Sequence, residues 1–184
     1  MDLDKAIKER KSTRKFSHKK PDWRDLIECI DSVRFAPMAG DNFSLKFVIV
    51  SDKKKIGKIA EACQQDFLAK AHYLVVVCSN PERTINAYGK RGEIYARQQA
   101  GAAIQNFLLK IEEKNLATCW VGHFVDNQIK RELEISDEVN VEAILPIGYA
   151  FEKTKPSKRI NLANILYFEK YGNKKMGKNN TINV

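Results

Sequence analysis

The run YLVVVC at residues 73–78 limits the possible folds of this chain more than any other segment. Six consecutive apolar residues, half of them valine, are too few for a helix and favour a β-strand that is buried on both faces. Residues 46–50 form a second β-branched run, and residues 118–122 and 141–149 predict a third and a fourth strand.

Helical periodicity appears between these runs. We expect helices at the N-terminus from Leu3, over residues 56–69, from about Gly92 to Asn115, and after Asp126 as a cap. The clearest helix follows Asp22 as its N-cap, because one apolar face is formed by Trp23, Leu26, Ile27, Ile30 and Val33. Residues 36–42, APMAGDN, predict a loop. Strands and helices do not alternate strictly, so the expected class is α+β with one central sheet.

The length and composition suit one domain of ordinary size. The chain has 184 residues, of which 43% are hydrophobic and 30% charged. No run of 18 apolar residues could span a membrane, and the first twenty residues lack the apolar core of a cleaved secretory signal. We therefore expect a cytoplasmic protein with no membrane partner.

The net charge of +9 lies at the two ends of the chain. Residues 1–20 hold eight basic and three acidic side chains, and residues 152–184 hold eight and two, whereas residues 21–151 are slightly acidic. A nucleic-acid-binding domain usually spreads basic and aromatic residues over one folded face. A basic nucleic-acid-binding domain is thus an alternative that rests on the overall charge alone, and we expect no nucleic-acid partner.

The histidines and cysteines predict no metal site. Three histidines are scattered, and four cysteines are 34, 15 and 41 positions apart without a C-x-x-C pair. Buried thiols in a reducing cytoplasm are the expectation. The common hydrolase and nucleotide-binding motifs are also missing from the sequence. If the protein is an enzyme, we therefore expect a cofactor to supply its chemistry.

Residues 10–14, RKSTR, form the best candidate for an anion site. In an extended chain, Arg10, Ser12 and Arg14 lie on one side. Two guanidinium groups and a hydroxyl suit a phosphate, although the same pattern also occurs as a surface run or a kinase target.

Six segments occur together in the order and spacing of a known family. They are RKSTRKF at residue 10, APMAGDNFSLKFVIV at 36, AGAAIQNFLL at 100, LATCWVGHF at 116, LPIGY at 145 and KRINL at 158. The chain resembles the nitroreductase family over nearly all of residues 3–171. The resemblance implies an α+β nitroreductase-like fold, with a central, mostly antiparallel sheet flanked by helices, and a homodimer with FMN at the subunit interface.

The family resemblance also implies site residues. Arg10, Ser12, Lys158 and Arg159 would hold the FMN phosphate, and Arg14 the N1/O2 edge of the flavin. Further contacts are implied for the residues that would pack on or beside the ring, which are Pro37, Met38, Ala39, Asp41 or Asn42, Gln64 or Gln65, and the stretch Trp120, Val121, Gly122 and His123. A backbone N–H of that last stretch would reach N5. Residues 1–171 would be one FMN-binding domain, and residues 172–184 a basic, flexible tail.

Six positions, at four places in the chain, depart from the common family pattern. Many members have a small residue at Met38, Gln-Pro-Trp at residues 43–45, Asp at Gln99 and Gly at His123. His123 is a candidate for a catalytic role, and it is also compatible with packing or surface exposure. Trp120 is as compatible with the core as with the flavin.

The leading functional hypothesis is therefore an FMN-dependent oxidoreductase. It would take hydride from NAD(P)H and reduce a nitroaromatic, quinone or enone in a ping-pong reaction. Because Met38 and His123 are unusual at ring-facing positions, the alternative is a flavin-binding or carrier protein of the same fold with little turnover.

Overall fold

The structure, a computed structural model, describes residues 1–152, 156, 158–176 and, as backbone, 180–181. The helices are α1 (Leu3–Glu9), α2 (Trp23–Asp31), α3 (Lys53–Cys63), α4 (Glu82–Tyr88), α5 (Lys90–Glu113), α6 (Asp126–Leu133) and α7 (Leu162–Ile165). The strands are β1 (Leu45–Val50), β2 (Tyr73–Ser79), β3 (Asn140–Ile147), β4 (Lys175–Met176) and β5 (Asn180–Thr181). Short 3₁₀ turns occupy Ser32–Phe35, Ala39–Asp41 and Asp66–Lys70.

The central sheet has β2 in the middle, paired antiparallel with β1 on one side and β3 on the other. Val76 marks the register, because it lies opposite Val48 of β1 and Ile144 of β3. Every residue of β2 is buried. The predicted α+β class, with a mostly antiparallel central sheet, is confirmed.

Alternate side chains of β2 enter two separate cores. Val75 and Val77 pack in a cluster that includes Leu26 of α2 and Phe107 of α5. Leu74, Val76 and Cys78 face the other way and pack in a cluster that includes Ile59 of α3 and Ile129 of α6. Helices therefore flank the sheet on both faces, as the buried run at residues 73–78 requires.

The predicted strand at residues 118–122 is not a continuous strand. Ala117 and Val121 pair with β3 and its extension only as isolated bridges, opposite Gly148 and Ile144. Between them, the carbonyl oxygen of Thr118 accepts a hydrogen bond from the backbone N–H of Thr13 at 2.8 Å. The ladder is interrupted because the register of the two bridges places Cys119 opposite Pro146, which has no backbone N–H to donate. Thr118 faces the other edge and pairs with the N-terminal segment.

Two helix predictions need correction. The helix expected at residues 56–69 begins at Lys53, where Asp52 caps it by accepting from the N–H of Lys55 at 2.9 Å. It ends at Cys63, because the left-handed backbone of the next residue, Gln64, stops the helix and turns the chain into the next 3₁₀ segment. Asp126 is the first residue of α6 and not its cap, which is Val125.

Helix α4 lacks a sequence prediction altogether. It is only seven residues long and follows Pro81. Its first turn is held by Asn80, whose side-chain oxygen accepts from the N–H of Glu82 at 3.0 Å. The long helix α5, in contrast, lies within two residues of its predicted ends.

The C-terminal part contains the short antiparallel pair β4–β5. Residues 177–179 and 182–184 of the predicted tail lie outside the described residues. The flexibility of residues 172–184 and the single domain over residues 1–171 stay predictions.

Candidate functional site

The segment after α1 is extended and presents alternate residues to the surface. Thr13 is buried and donates its N–H to Thr118, whereas Ser12 and Arg14 are exposed and Arg10 is half-buried. Further along, the N–H of Ser17 donates to the carbonyl of Tyr149 at 2.8 Å. This pairing holds the segment against the protein and leaves Ser12 and Arg14 on the outer side, as the period of two predicts.

Arg159 reaches this segment from the other end of the sequence. Its guanidinium Nη2 donates to the backbone carbonyl oxygen of Arg10 at 2.9 Å. Lys158 is the next residue and is exposed. Among the residues that the structure describes, no ion pair within 4 Å uses Arg10, Arg14, Lys158 or Arg159. Their positive charge is not neutralised by a described carboxylate, which suits an anionic ligand.

Arg14 lies beside the turn that follows α3. Its guanidinium carbon is 5.9 Å from the centre of the Phe67 ring. Gln65, two residues before Phe67, is half-buried, and Gln64 is exposed. The predicted contact residue Arg14 therefore lies beside the segment that carries Gln65, at an aromatic ring that the sequence did not indicate.

In the stretch after Thr118, Val121 is held inside the protein. Its N–H and its carbonyl oxygen both pair with Ile144 at 3.0 Å, and its side chain is 2% exposed. Gly122 and His123 are exposed, and in the described part of the chain their N–H groups have no hydrogen-bond partner. In the stretch predicted to reach a flavin N5, the N–H of Val121 is thus already paired, whereas the N–H groups of Gly122 and His123 have no described partner.

Trp120 is 41% exposed, so it is not a core residue. Its indole Nε1 would lie 3.8 Å from a Cβ atom added at Gly122. The ring therefore borders the exposed Gly122–His123 backbone.

The loop Pro37–Asn42 forms a second group of predicted residues. Met38, Ala39 and Asn42 are half-buried, and Pro37 and Asp41 are exposed. The side chain of Gln99, on α5, is hydrogen-bonded to the end of this loop. No hydrogen bond or ion pair among the described residues joins the loop to Arg10, Ser12 or Arg14. Within one chain, this loop and the Arg10–Arg14 segment are therefore not bonded to each other directly.

Cavities border some of the predicted site segments. Gly122 lines one of about 270 Å³, together with Arg97 and Glu142. Another of about 700 Å³ is lined by Lys11, Thr13, Glu112 and Tyr149, among others. Lys11 and Thr13 alternate with Arg10, Ser12 and Arg14, so this cavity lies on the opposite side of the extended segment.

The cysteines offer no reactive thiol. All four are free and buried, and burial raises the pKa of Cys29 and Cys63 to about 12 and of Cys78 to about 11. Within the described residues, no three His, Cys, Asp or Glu side chains are grouped so as to hold a metal ion. No helix of the described chain is long and apolar enough to cross a membrane.

Comparison with known proteins identifies the fold. The chain is 25% identical over 168 residues to the iodotyrosine deiodinase of Thermotoga neapolitana, covering 77% of this chain and 85% of that protein. It resembles the crystal structure of a nitroreductase family protein from Clostridium novyi NT, with 27% identity, a TM-score of 0.77 and coverage of 94% and 96%. An FMN-dependent nitroreductase from Clostridium difficile R20291 shares the fold, with 21% identity, a TM-score of 0.79 and coverage of 90% and 98%.

The sequence model of the nitroreductase family matches residues 7–70 and 58–149, which together span most of the chain and both groups of predicted site residues except Lys158 and Arg159. With the antiparallel sheet and the helices on its two faces, this match shows that the chain belongs to the nitroreductase family.

Proposed function

We propose that the protein is an FMN-dependent oxidoreductase that oxidises NAD(P)H and reduces an electron-poor acceptor such as a nitroaromatic, a quinone or an enone. The contact between Arg159 and the carbonyl of Arg10 carries the proposal, because it brings basic residues from both ends of the chain to one surface. FMN, when bound, supplies hydride acceptance and donation at N5.

The residues present fit the phosphate of such a cofactor. A phosphate dianion takes charge-assisted hydrogen bonds, which Arg10, Arg159 and Lys158 can donate, together with the hydroxyl of Ser12. None of these cations is ion-paired within the described residues, so binding a phosphate there would break no described salt bridge.

The ring-side residues have separate roles. Arg14 would place a cation at the N1/O2 edge, which stabilises negative charge on a reduced ring. The N–H of Gly122 or His123 would donate to N5 without offering a competing side-chain proton. His123 is exposed beside these groups and is the side chain we propose for proton delivery to the acceptor.

A homodimer would complete the site. Large apolar side chains are exposed on α1, α2 and the turn after α2, namely Leu3 65%, Ile7 49%, Trp23 51%, Ile27 48% and Phe35 73%. Leu3 and Phe35 also border a groove of about 370 Å³ against α5. Apolar surface of this extent is typical of an interface. In a symmetric dimer, the Pro37–Asn42 loop of one subunit would complement the Arg10–Arg14 segment of its partner.

The choice of electron acceptor is proposed from the family and its members. The similarity to an iodotyrosine deiodinase adds a halogenated aromatic to the acceptors worth testing. NAD(P)H and the acceptor would use the same site in turn, which predicts parallel lines in double-reciprocal plots. The four free, buried cysteines support a reducing cytoplasm as the location.

Absorbance spectroscopy under nitrogen tests the proposal. The purified protein, loaded with FMN, should show bands near ~450 nm that bleach on addition of NADH or NADPH and return with an acceptor. A protein that cannot be loaded with FMN would contradict the proposal. A protein that binds FMN but is not reduced by either nucleotide would favour the alternative of a flavin-binding or carrier protein, which the unusual Met38 and His123 motivate.

A further inference from the structure

The loop before β1 has an unusual backbone conformation. Gly40 and Asp41 are consecutive residues with positive φ angles of 56° and 54°. Asp41 is not a glycine, so its left-handed conformation is unfavourable unless the surrounding structure holds it. The loop ends at Asn42, and it is the segment proposed to pack on the flavin ring.

A single buried amide joins the end of this loop to helix α5. Gln99 is 3% exposed. Its Oε1 atom accepts from the backbone N–H of Ser44 at 2.9 Å and from the Ser44 hydroxyl at 2.7 Å. Its Nε2 atom donates to the carbonyl oxygen of Asn42 at 3.2 Å. Gln99 thus holds Asn42 and Ser44 by hydrogen bonds, although it lies more than fifty residues away in the sequence.

The chemistry of this contact requires a side chain that carries both an acceptor and a donor at its end. Two donors converge on one oxygen, and one carbonyl needs a donor, which Gln supplies from its two ends. A carboxylate could accept the hydrogen bonds from Ser44, but it could donate none to the carbonyl oxygen of Asn42. Its second oxygen would instead face that carbonyl oxygen and repel it. An apolar side chain would leave all three polar groups of the loop unpaired in a buried place.

Two further contacts, from the end of β2 and from α4, hold the same loop. The carbonyl oxygen of Ser44 accepts from the N–H of Asn80 at 2.8 Å, at the end of β2. On the other side of the loop, the hydroxyl of Tyr88 lies so close to Gly40 that an added Cβ atom would be 2.5 Å from it. The loop is therefore held between the end of β2, α4 and α5.

We propose that Gln99 is a positioning residue, which fixes the Pro37–Asn42 loop in its flavin-binding conformation without touching the flavin. This inference rests on the proposed function for its flavin part. Gln99 acts through Asn42 and Ser44, so its replacement should alter both the mobility of the loop and the affinity for FMN.

The first test uses Gln99→Met, which keeps the length of the side chain and removes its polar atoms. Hydrogen–deuterium exchange of the flavin-free protein should show at least tenfold faster exchange of the Ser44 amide. The dissociation constant for FMN, measured by quenching of flavin fluorescence, should rise at least tenfold. Gln128→Met on α6 is the matched control, because Gln128 is exposed, and it should change neither quantity.

The second test uses Gln99→Glu and a pH series. A protonated carboxyl group carries one acceptor and one donor, so it can satisfy Ser44 and Asn42 as the amide does. The FMN affinity of Q99E, divided by that of the wild type at the same pH, should recover as the pH falls through the pKa of the new carboxyl. The corresponding ratio for Q99M should stay constant. A purely structural defect would not respond to pH in this way.

The outcomes separate the two proposals. Wild-type protein that binds no FMN overturns the proposed function and the flavin part of this inference, while the Ser44 exchange rate still decides whether Gln99 positions the loop. FMN binding by Q99M as tight as by the wild type, or a Q99E ratio that does not change with pH, overturns the role of Gln99 in flavin binding alone. Should Q99M fail to fold, Q99E at low and high pH provides the same comparison in one protein.

Discussion

The guanidinium of Arg159 donates a hydrogen bond to the backbone carbonyl oxygen of Arg10 at 2.9 Å, across 149 positions of the sequence. Because the acceptor is a backbone atom, the side chain of Arg10 remains available for a ligand. The contact explains how the two basic ends of a chain with a slightly acidic middle can serve one site. It also makes Arg159 the most informative residue to replace.

Arg159→Ala should weaken FMN binding. A charge-assisted hydrogen bond to a phosphate contributes about 1.5–3 kcal/mol, so the dissociation constant should rise roughly 10- to 150-fold. Lys15→Ala is the control, because it removes the same positive charge from an exposed residue that pairs with Glu152 at 3.3 Å. Equal losses in the two variants, measured by fluorescence titration, would reduce the role of Arg159 to general electrostatics.

His123→Ala should separate acceptor reduction from flavin binding. The side chain is exposed next to Gly122, so its removal should leave FMN affinity unchanged within about twofold. If it delivers the proton, kcat/KM for the acceptor should fall by about 100-fold. Stopped-flow measurement of anaerobic flavin reduction by NAD(P)H should give the wild-type rate. Unchanged acceptor turnover would return His123 to a surface role.

Phe35→Asp should weaken the proposed homodimer. Phe35 is 73% exposed in the single chain, so the fold itself should tolerate the change. An aromatic side chain central to an interface commonly contributes about 2 kcal/mol or more, which predicts at least a roughly tenfold weaker dimer. Light scattering coupled to size exclusion measures the dimer, and circular dichroism checks the fold. Dimerisation as tight as in the wild type would place the interface elsewhere.

Gly92→Ala should destabilise the protein strongly. A Cβ atom at Gly92 would collide with the backbone of Thr84 and Ile85, where α4 packs on α5. Overpacking of this kind costs about 1–3 kcal/mol or more. Gly57→Ala in α3 is the opposite control, because an added Cβ there meets nothing within 4 Å and should stabilise the helix by about 0.5–1 kcal/mol. Urea unfolding of both variants should give changes of opposite sign.

Glu112 should make the stability depend on pH. Burial raises the pKa of Glu112 above its ordinary value of 4.5, Glu9 adds to this, and Lys11 and Arg10 oppose it. In the folded protein the Glu112 carboxyl therefore keeps its proton at pH values where the same group in the unfolded chain has released it. Its contribution to stability is therefore full below about pH 4.5 and is lost as the pH rises through the folded-state pKa.

Glu112→Gln should consequently gain stability relative to the wild type between pH 4 and pH 8, as measured by urea unfolding at each pH. The neighbouring Glu113 gives the opposite control. Its pKa is lowered by the hydrogen bond from Lys110, so the contribution of Glu113 is present at neutral pH and lost in acid. Glu113→Gln should thus lose stability over the same interval. Parallel curves for the two variants would contradict both assignments.

Local pattern was sufficient for the parts of the fold in which neighbouring residues decide the structure. The apolar run of β2 predicted a strand buried on both faces, and Asp22 and the apolar face behind it predicted α2. The alternation at Ser12, Thr13 and Arg14 likewise follows from the period of an extended chain. At residues 118–122 the local pattern predicted a strand that the structure interrupts, because the partner residue opposite Cys119 is Pro146, which has no N–H for the ladder.

The family could be expected from the order of short motifs, because these residues stay together along the chain, and the proposed FMN site rests on the same motifs. The contacts of Gln99 with Asn42 and Ser44, of Arg14 with Phe67, and of Tyr88 with Gly40 could not be expected in this way. Each joins segments that lie far apart in the sequence, and nothing in the residue types specifies which partner is met. Periodicity and capping act over a few residues and therefore suffice for single elements, whereas the packing of α4 and α5 against the Pro37–Asn42 loop decides which side chains hold that loop.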